Sequence, residues 1–343
     1  MTAARLEPSD GLEPLAELLA RHGLARAAEE PFPNDGWSGA TLTRLRDADQ
    51  RPFILKRDAL DRDWIAQATG DRPLLREAWF AAHGPALPRG VRNPALGAGW
   101  DAASGGVGIL MPDLSGTLFD WSVPVPVHSL ELVLGGLAAL HAAPRTASGY
   151  GEGRWCPLLE RVTLICRPAL ERRGPARDAV AGRLLPGWDA WDRRATPAAR
   201  EVIRAIAADP RPLLRALQAL PATLIHGDLK LANAGIAADG AVELVDWQLV
   251  MVAPVAVELG WFLVSNVTAL PLPPDEVLAT YWRSRNRAGG SENELAILVG
   301  LLLRGWRKGA DAEAGVVHAS GVTAADDLAW WCERAVEAAD RLL

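Results

Sequence analysis

A histidine, two aspartates and an asparagine stand at fixed offsets in residues 224–247, LIHGDLKLANAGIAADGAVELVDW. Asp228 follows His226 by two positions, Asn233 lies five further on, and Asp246 ends an apolar run. Carboxylate and amide oxygens are ligands for hard cations, and magnesium takes only a few from a protein, leaving its other positions to water and phosphate oxygens. Asn233 and Asp246 can supply two such oxygens, while Asp228, nearer the turn, is left to face an incoming hydroxyl. The elements that must hold these groups can be read around them. Apolar residues 222–225 deliver His226, Gly227 and Asp228 into a turn, and 234–236 are apolar again. Asp239-Gly240 predicts a two-residue hairpin turn, because both residues tolerate positive φ. Residues 242–245 form the return strand. Asp228, Asn233 and Asp246 are then held at one end of a rigid ribbon.

HGDLKLAN followed by LVDW resembles the Brenner motif and metal-binding aspartate of aminoglycoside phosphotransferases and choline-kinase-like enzymes, which share the protein-kinase fold and its HxDxxxxN catalytic loop. The resemblance implies an α+β, bilobal protein-kinase-like fold. A small β-rich N-lobe would occupy residues 1–113 and a larger, mainly α-helical C-lobe residues 114–343, with ATP between them. It also implies an ATP-dependent phosphotransferase that moves the γ-phosphate of Mg-ATP onto a hydroxyl of a small molecule such as an aminoglycoside, amino sugar or amino alcohol. Asp228 would orient that hydroxyl and take its proton, Lys230 would reach the γ-phosphate, and Asn233 and Asp246 would hold Mg2+. His226 is expected to support the loop's backbone. After Asp246 the chain departs from the family, with Val252-Ala-Pro254 and Glu258-Leu-Gly in place of Gly-Asp-Pro and an aspartate at a helix start. Glu258 is expected to brace the catalytic loop as that aspartate would.

The other candidate groups come earlier in the chain. Of 36 basic residues only Lys56, Lys230 and Lys308 are lysines, and Lys56 ends the apolar run PFILK, where a strand-end ammonium can neutralise phosphate charge. REAWF, beginning at Arg76, resembles the family helix whose glutamate, here Glu77, pairs with the strand lysine. An ion pair with Glu77 would stop the flexible lysine from wandering. GWSGAT resembles the looser phosphate loop of small-molecule kinases, with the Ser38 hydroxyl and backbone N–H groups near the phosphates. VGILMPDL resembles the family's edge strand and hinge. On that alignment Met111 flanks the adenine, Pro112 offers only its C=O, and Leu114 supplies an N–H.

The remaining segments are read as scaffold. Leucines at 12, 15, 18 and 19 predict an amphipathic helix over 12–24, and those from 130 to 140 predict a long helix stopped by Pro144. His141, in its last turn, is expected in the core. The WDAWD cluster of Trp188, Asp189, Trp191 and Asp192 is better explained by helix packing than by sugar stacking. Ser291 with Glu294 predicts a capping box, and 324–343 a closing amphipathic helix.

Composition narrows the classes further. A chain of 343 residues, 49% hydrophobic, is long enough for one large domain or two modest ones. A net charge of −6 without any basic run gives no reason to expect nucleic acid. The apolar run 296–303 is too short to span a bilayer, and the N-terminus lacks the order of a signal peptide, so a cytoplasmic protein without membrane attachment is expected. Three scattered cysteines without a CxxC pair argue against a zinc site or a disulfide framework. Two other readings of the motifs are a non-catalytic nucleotide-binding or interaction protein and a protein kinase. The latter is disfavoured because DFG and APE are missing after Asp246.

Overall fold

The computed structural model describes residues 11–33, 36–72, 75–142, 155–176 and 178–343. Its first part is a six-stranded sheet built from β1 (Glu13–Pro14), β2 (Glu30–Phe32), β3 (Thr41–Arg46), β4 (Pro52–Asp58), β6 (Gly97–Asp101) and β7 (Gly106–Pro112), in the order β1-β6-β7-β4-β3-β2. β5 (Val91–Arg92) lies outside it. The β3–β4 hairpin turns at Asp47, whose carboxylate accepts from the N–H groups of Asp49 and Arg51 at 2.9 Å each. On its other edge β4 runs antiparallel to β7, with Lys56 opposite Ile109. Strand alternation then decides which groups face which layer. Leu45, Leu55 and Leu110 pack with Leu15 and Leu18 of helix α1 (Leu15–Arg21). Ile54, Lys56 and Asp58 point to the opposite face, where α2 (Trp64–Ala68) and α3 (Arg76–His83) lie. α1 is shorter than predicted because Pro14 cannot sit in a helix interior, so the helix starts after it and Glu13–Pro14 pair with Gly99 and Trp100.

A pH-sensitive pair sits behind this sheet. Asp63 caps α2, accepting from Ile65 N and Ala66 N at 2.8 and 3.0 Å, and is buried beside Asp58. Burial, and then the charge of Asp63, push the Asp58 carboxyl up to about 8. The unfolded chain releases the same proton near pH ~4, so the native state holds the extra proton between about 4 and about 8. The stability this group contributes is therefore full below pH ~4 and lost as pH rises toward ~8. Asp58→Asn is expected to gain stability relative to the parent as pH rises from about 5 to about 8, by up to ~1.4 kcal/mol per pH unit. Urea midpoints across that range measure it, and parallel curves for the two proteins would contradict it.

The second part is mainly helical. α4 (Val127–Ala142) buries Leu130, Val133, Leu134, Leu137 and Leu140, and its predicted stop at Pro144 lies outside the described residues. Then come α5 (Leu158–Thr163), α6 (Arg167–Arg173), α7 (Ala179–Arg194), α8 (Pro197–Ala208) and α9 (Arg211–Gln218). Short strands follow: β8 (Ala222–Ile225), β9 (Ala234–Ile236), β10 (Val242–Leu244) and β11 (Met251–Pro254). The chain closes with α10 (Val255–Ser265), α11 (Pro274–Ser284), α12 (Ser291–Ala314) and α13 (Ala324–Leu342). β8 pairs with β11, and the β9–β10 hairpin adds β5 in parallel, Val242 opposite Val91.

Two local expectations need correction. The β9–β10 connection is a three-residue loop, since Ala237 N donates to Ala241 O at 2.9 Å and Gly240 N to Ala237 O at 2.8 Å. No capping box opens α12. Gly290 occupies the cap position at φ +53° and Ser291 is already inside the helix, while Glu294 pairs with Arg341 of α13. The helix also starts earlier and runs further than the apolar run, with a break at Arg304.

The tryptophans of WDAWD pack as their spacing implies. Trp188 and Trp191 are buried against α12, where a Cβ on Gly309 would collide with the backbone of Trp191. Asp189 and Asp192 pair with Arg167 at 2.8 and 2.7 Å. Among the described residues, no helix is long and apolar enough to cross a membrane.

Candidate active site

β8 ends in the loop that carries His226, Gly227 and Asp228. Gly227 is required by its backbone: φ is +82°, and a Cβ would collide with the carbonyl oxygen of Leu249. Gly227→Ala is expected to cost at least about 2 kcal/mol in urea unfolding, from the left-handed backbone plus the overlap. Unchanged stability would contradict this account of the turn.

The loop is braced from three sides. Glu258, fully buried on α10, accepts from the backbone N–H of His226 at 2.5 Å, of Gly227 at 3.2 Å and of Leu229 at 3.4 Å. Burial outweighs those donors and pushes its carboxyl up to about 7. Arg161, from α5, donates through Nε to Gly227 O at 2.6 Å. Asn266, just past α10, accepts from Leu231 N at 2.7 Å. His226 is buried and works on backbone: Nε2 meets Val245 O at 2.9 Å, and Asp228 N donates to Nδ1 at 3.2 Å. Burial lowers its pKa to about 4, which keeps Nδ1 available as that acceptor. His141, also buried, meets the Tyr281 hydroxyl at 2.9 Å and belongs to the core.

Asp228 is almost fully buried, and its Oδ2 lies 3.1 Å from Lys230 Nζ. Asn233 donates through Nδ2 to Asp228 O at 2.9 Å, which turns its amide oxygen outward from that bond. Asp246 adopts φ +67°, left-handed for a residue with a Cβ, where the chain leaves β10. Its Oδ1 lies 2.6 Å from Lys56 Nζ, and Glu77 Oε2 lies 2.6 Å from the same nitrogen. The fold therefore brings together three charged groups, the outermost 190 positions apart. Burial opposes the Lys56 charge, but Asp246 and then Glu77 hold its pKa above the ordinary lysine range. Burial pushes Glu77 up to about 7 against the pull of Lys56. It opposes ionisation of Asp246 too, yet Lys56 and then Lys230 keep that carboxyl below its usual range.

Beside this cluster is a small cleft lined by Glu77, Ile109, Met111, Val245 and Asp246 among others. Met111 and Pro112 end β7, paired with Ile54 and Phe53. The Leu114 carbonyl accepts from Thr117 N at 2.8 Å, closing the turn that follows. Ser38 is buried in the loop before β3, and its hydroxyl accepts from Ala40 N at 3.4 Å. Arg161 and Arg304 both lie within the field of Asp228, and both guanidinium groups lie over the Trp261 ring. Arg161, Trp261 and Arg304 lie on three different helices, so no motif spacing announced them.

The profile of the phosphotransferase enzyme family matches residues 29–293. No curated protein matches the sequence at a significant level. Among solved structures, the choline kinase of Cryptosporidium parvum Iowa II is 10% identical with a TM-score of 0.54, over 95% of this chain and 96% of that one. A choline/ethanolamine kinase family protein of Mesorhizobium loti is 15% identical with a TM-score of 0.50, over 94% of this chain and 99% of the other. A protein of Ralstonia eutropha JMP134, named as a candidate aminoglycoside phosphotransferase, is 12% identical with a TM-score of 0.51, over 96% and 98% of the two chains. At these identities what is shared is the fold: a kinase-like α+β architecture with its sheet toward the N-terminus and its helices toward the C-terminus.

Proposed function

The chain belongs to the phosphotransferase enzyme family, and from that premise we propose that it moves the γ-phosphate of Mg-ATP onto a hydroxyl of a small molecule. The observation that carries this reading is the meeting of Lys56 Nζ with Glu77 and Asp246 at 2.6 Å each, beside Asp228 and Lys230. In it, residues 1–113 form one lobe and 114–343 the other, with ATP between them. Met111 flanks the adenine, the Pro112 carbonyl and the Leu114 N–H take its edge, and Ser38 stands at the phosphates.

Asn233 and Asp246 fit a hard divalent cation. One offers an amide oxygen whose nitrogen is already engaged, the other a carboxylate kept ionised by its neighbours. Magnesium takes only a few ligands from a protein, so Asn233 and Asp246 would hold it and leave its other positions to water and phosphate oxygens. When bound, magnesium neutralises charge on the phosphates. Lys56, aligned by Glu77, would add its own positive charge to that neutralisation, and Lys230 would reach the γ-phosphate. Phosphoryl transfer passes through a loose transition state and needs positioning and charge neutralisation more than covalent help. Asp228 orients the acceptor hydroxyl. As its oxygen bonds to the γ-phosphorus, the bond to the β-phosphate oxygen breaks, ADP leaves and the hydroxyl proton passes to the carboxylate. Carboxylates are weak bases toward alcohols, so that proton moves late.

Calorimetric titration of ATP with and without magnesium tests the nucleotide site. Magnesium is expected to tighten binding at least about tenfold, ~1.4 kcal/mol, and Asp246→Ala to remove that gain. ATP binding indifferent to both would contradict the metal assignment.

A further inference from the structure

Two arginines beside Asp228 are left unused by the transfer machinery. Arg161 is fully buried, and beyond the Nε bond to Gly227 O neither of its terminal nitrogens has a hydrogen-bond partner among the described residues. Arg304 stands where α12 leaves its helical path, at φ −134° and ψ 22°, and its Nε is likewise buried without a partner there. Both guanidinium groups stack on one indole, that of Trp261, with Cζ to ring-centroid distances of 4.5 Å for Arg161 and 5.3 Å for Arg304. The Trp306 ring centroid lies 5.1 Å from the Arg304 Cζ, and the indole N–H groups of Trp261 and Trp306 are also buried without hydrogen-bond partners among the described residues.

The surrounding charges do not neutralise this group through contact. Asp228 acts on both arginines through its field and is in contact with Lys230 instead. Glu258 is occupied by backbone N–H groups, and Asp311 by Arg307 at 2.7 Å. What remains beside the catalytic carboxylate is a set of buried atoms that can only donate. Buried donors in folded proteins find an acceptor, whether protein, water or ligand, and a planar guanidinium matches a carboxylate or phosphate in geometry and charge.

Resting on the phosphotransferase reading above, we propose that the acceptor carries, besides its reacting hydroxyl, an anionic carboxylate or phosphate held by Arg161 and Arg304 against Trp261. An amine-bearing acceptor meets the opposite situation. Cationic ligands are drawn to open aromatic faces and acidic groups, whereas here guanidinium groups already stack on Trp261 and Lys230 adds a further positive charge.

The test uses the whole protein saturated with magnesium and a non-hydrolysable ATP analogue. Matched compounds built on glycerol, ribose and glucose are titrated into it, each as the neutral parent, the amine, the carboxylic acid and the phosphate ester. In at least one set the acidic members are expected to bind at least tenfold more tightly than the parent, with the amine weakest. The carboxylate and phosphate arms name the group. Arg304→Gln is expected to erase that preference, and a melting shift with the magnesium–nucleotide analogue shows that the variant is folded. Tightest binding by the amines, no charge preference in any set, or a preference unchanged in Arg304→Gln would overturn the proposal. Failure of the analogue itself to bind, measured first, would instead overturn the nucleotide reading beneath it.

Discussion

Asp228→Asn is expected to lower acceptor-dependent turnover by about 10²–10⁴-fold, the range for losing a positioned proton acceptor. Affinity for Mg-ATP should stay within about twofold. The amide keeps the size of the carboxylate and can still accept a hydrogen bond, but it cannot take the hydroxyl proton, and it loses the charge that meets Lys230 at 3.1 Å. A thousandfold loss corresponds to about 4 kcal/mol of transition-state stabilisation. The split between turnover and nucleotide affinity is the informative readout. Loss of ATP binding in the variant would make Asp228 a structural residue of the loop, and full turnover would remove it from the chemistry.

Glu258→Ala is expected to give the largest loss of stability, about 3–5 kcal/mol in urea unfolding. The carboxylate gathers the N–H groups of His226, Gly227 and Leu229 where no water reaches. Removing it strands three buried donors and opens a cavity at the base of the catalytic loop. Against a total stability of roughly 5–15 kcal/mol, that loss leaves a marginal fold. Glu258→Gln should cost less, because its carbonyl can still accept, although its NH2 group then faces one donor. Equal stability of the alanine variant and the parent would show that the loop holds its shape without this brace.

The difference between what could and could not be read in the sequence is physical. The stretch around Asp228 was legible because its polar groups, turn residues and flanking apolar runs lie within one short segment. Lys56 and Glu77 were legible because lysine is scarce here and strand alternation fixes the face on which Lys56 lies. The pairing of Val91 with Val242 had no local signal, since each strand is only two or three residues long. Arg161 and Arg304 were invisible for another reason: arginine supplies nearly all of the 36 basic residues, so no single one stands out. The capping box suggested by Ser291 and Glu294 failed because Gly290 ahead of them takes the cap conformation. The predicted Asp239-Gly240 turn lengthened by one residue because Ala237 and Ala241 are the last pair to bond.

The most direct test is the fate of a label on the γ-phosphate of ATP, followed with the purified protein, magnesium and a panel of hydroxylated small molecules that includes the acidic ones. The account predicts that the label appears as a phosphate ester of a panel member, one ester for each ADP formed, and that Asp228→Asn slows its appearance by the same ~10²–10⁴-fold. Label found only on protein, or no ester from any compound while nucleotide remains bound, would contradict it and favour a protein kinase or a non-catalytic nucleotide-binding protein respectively.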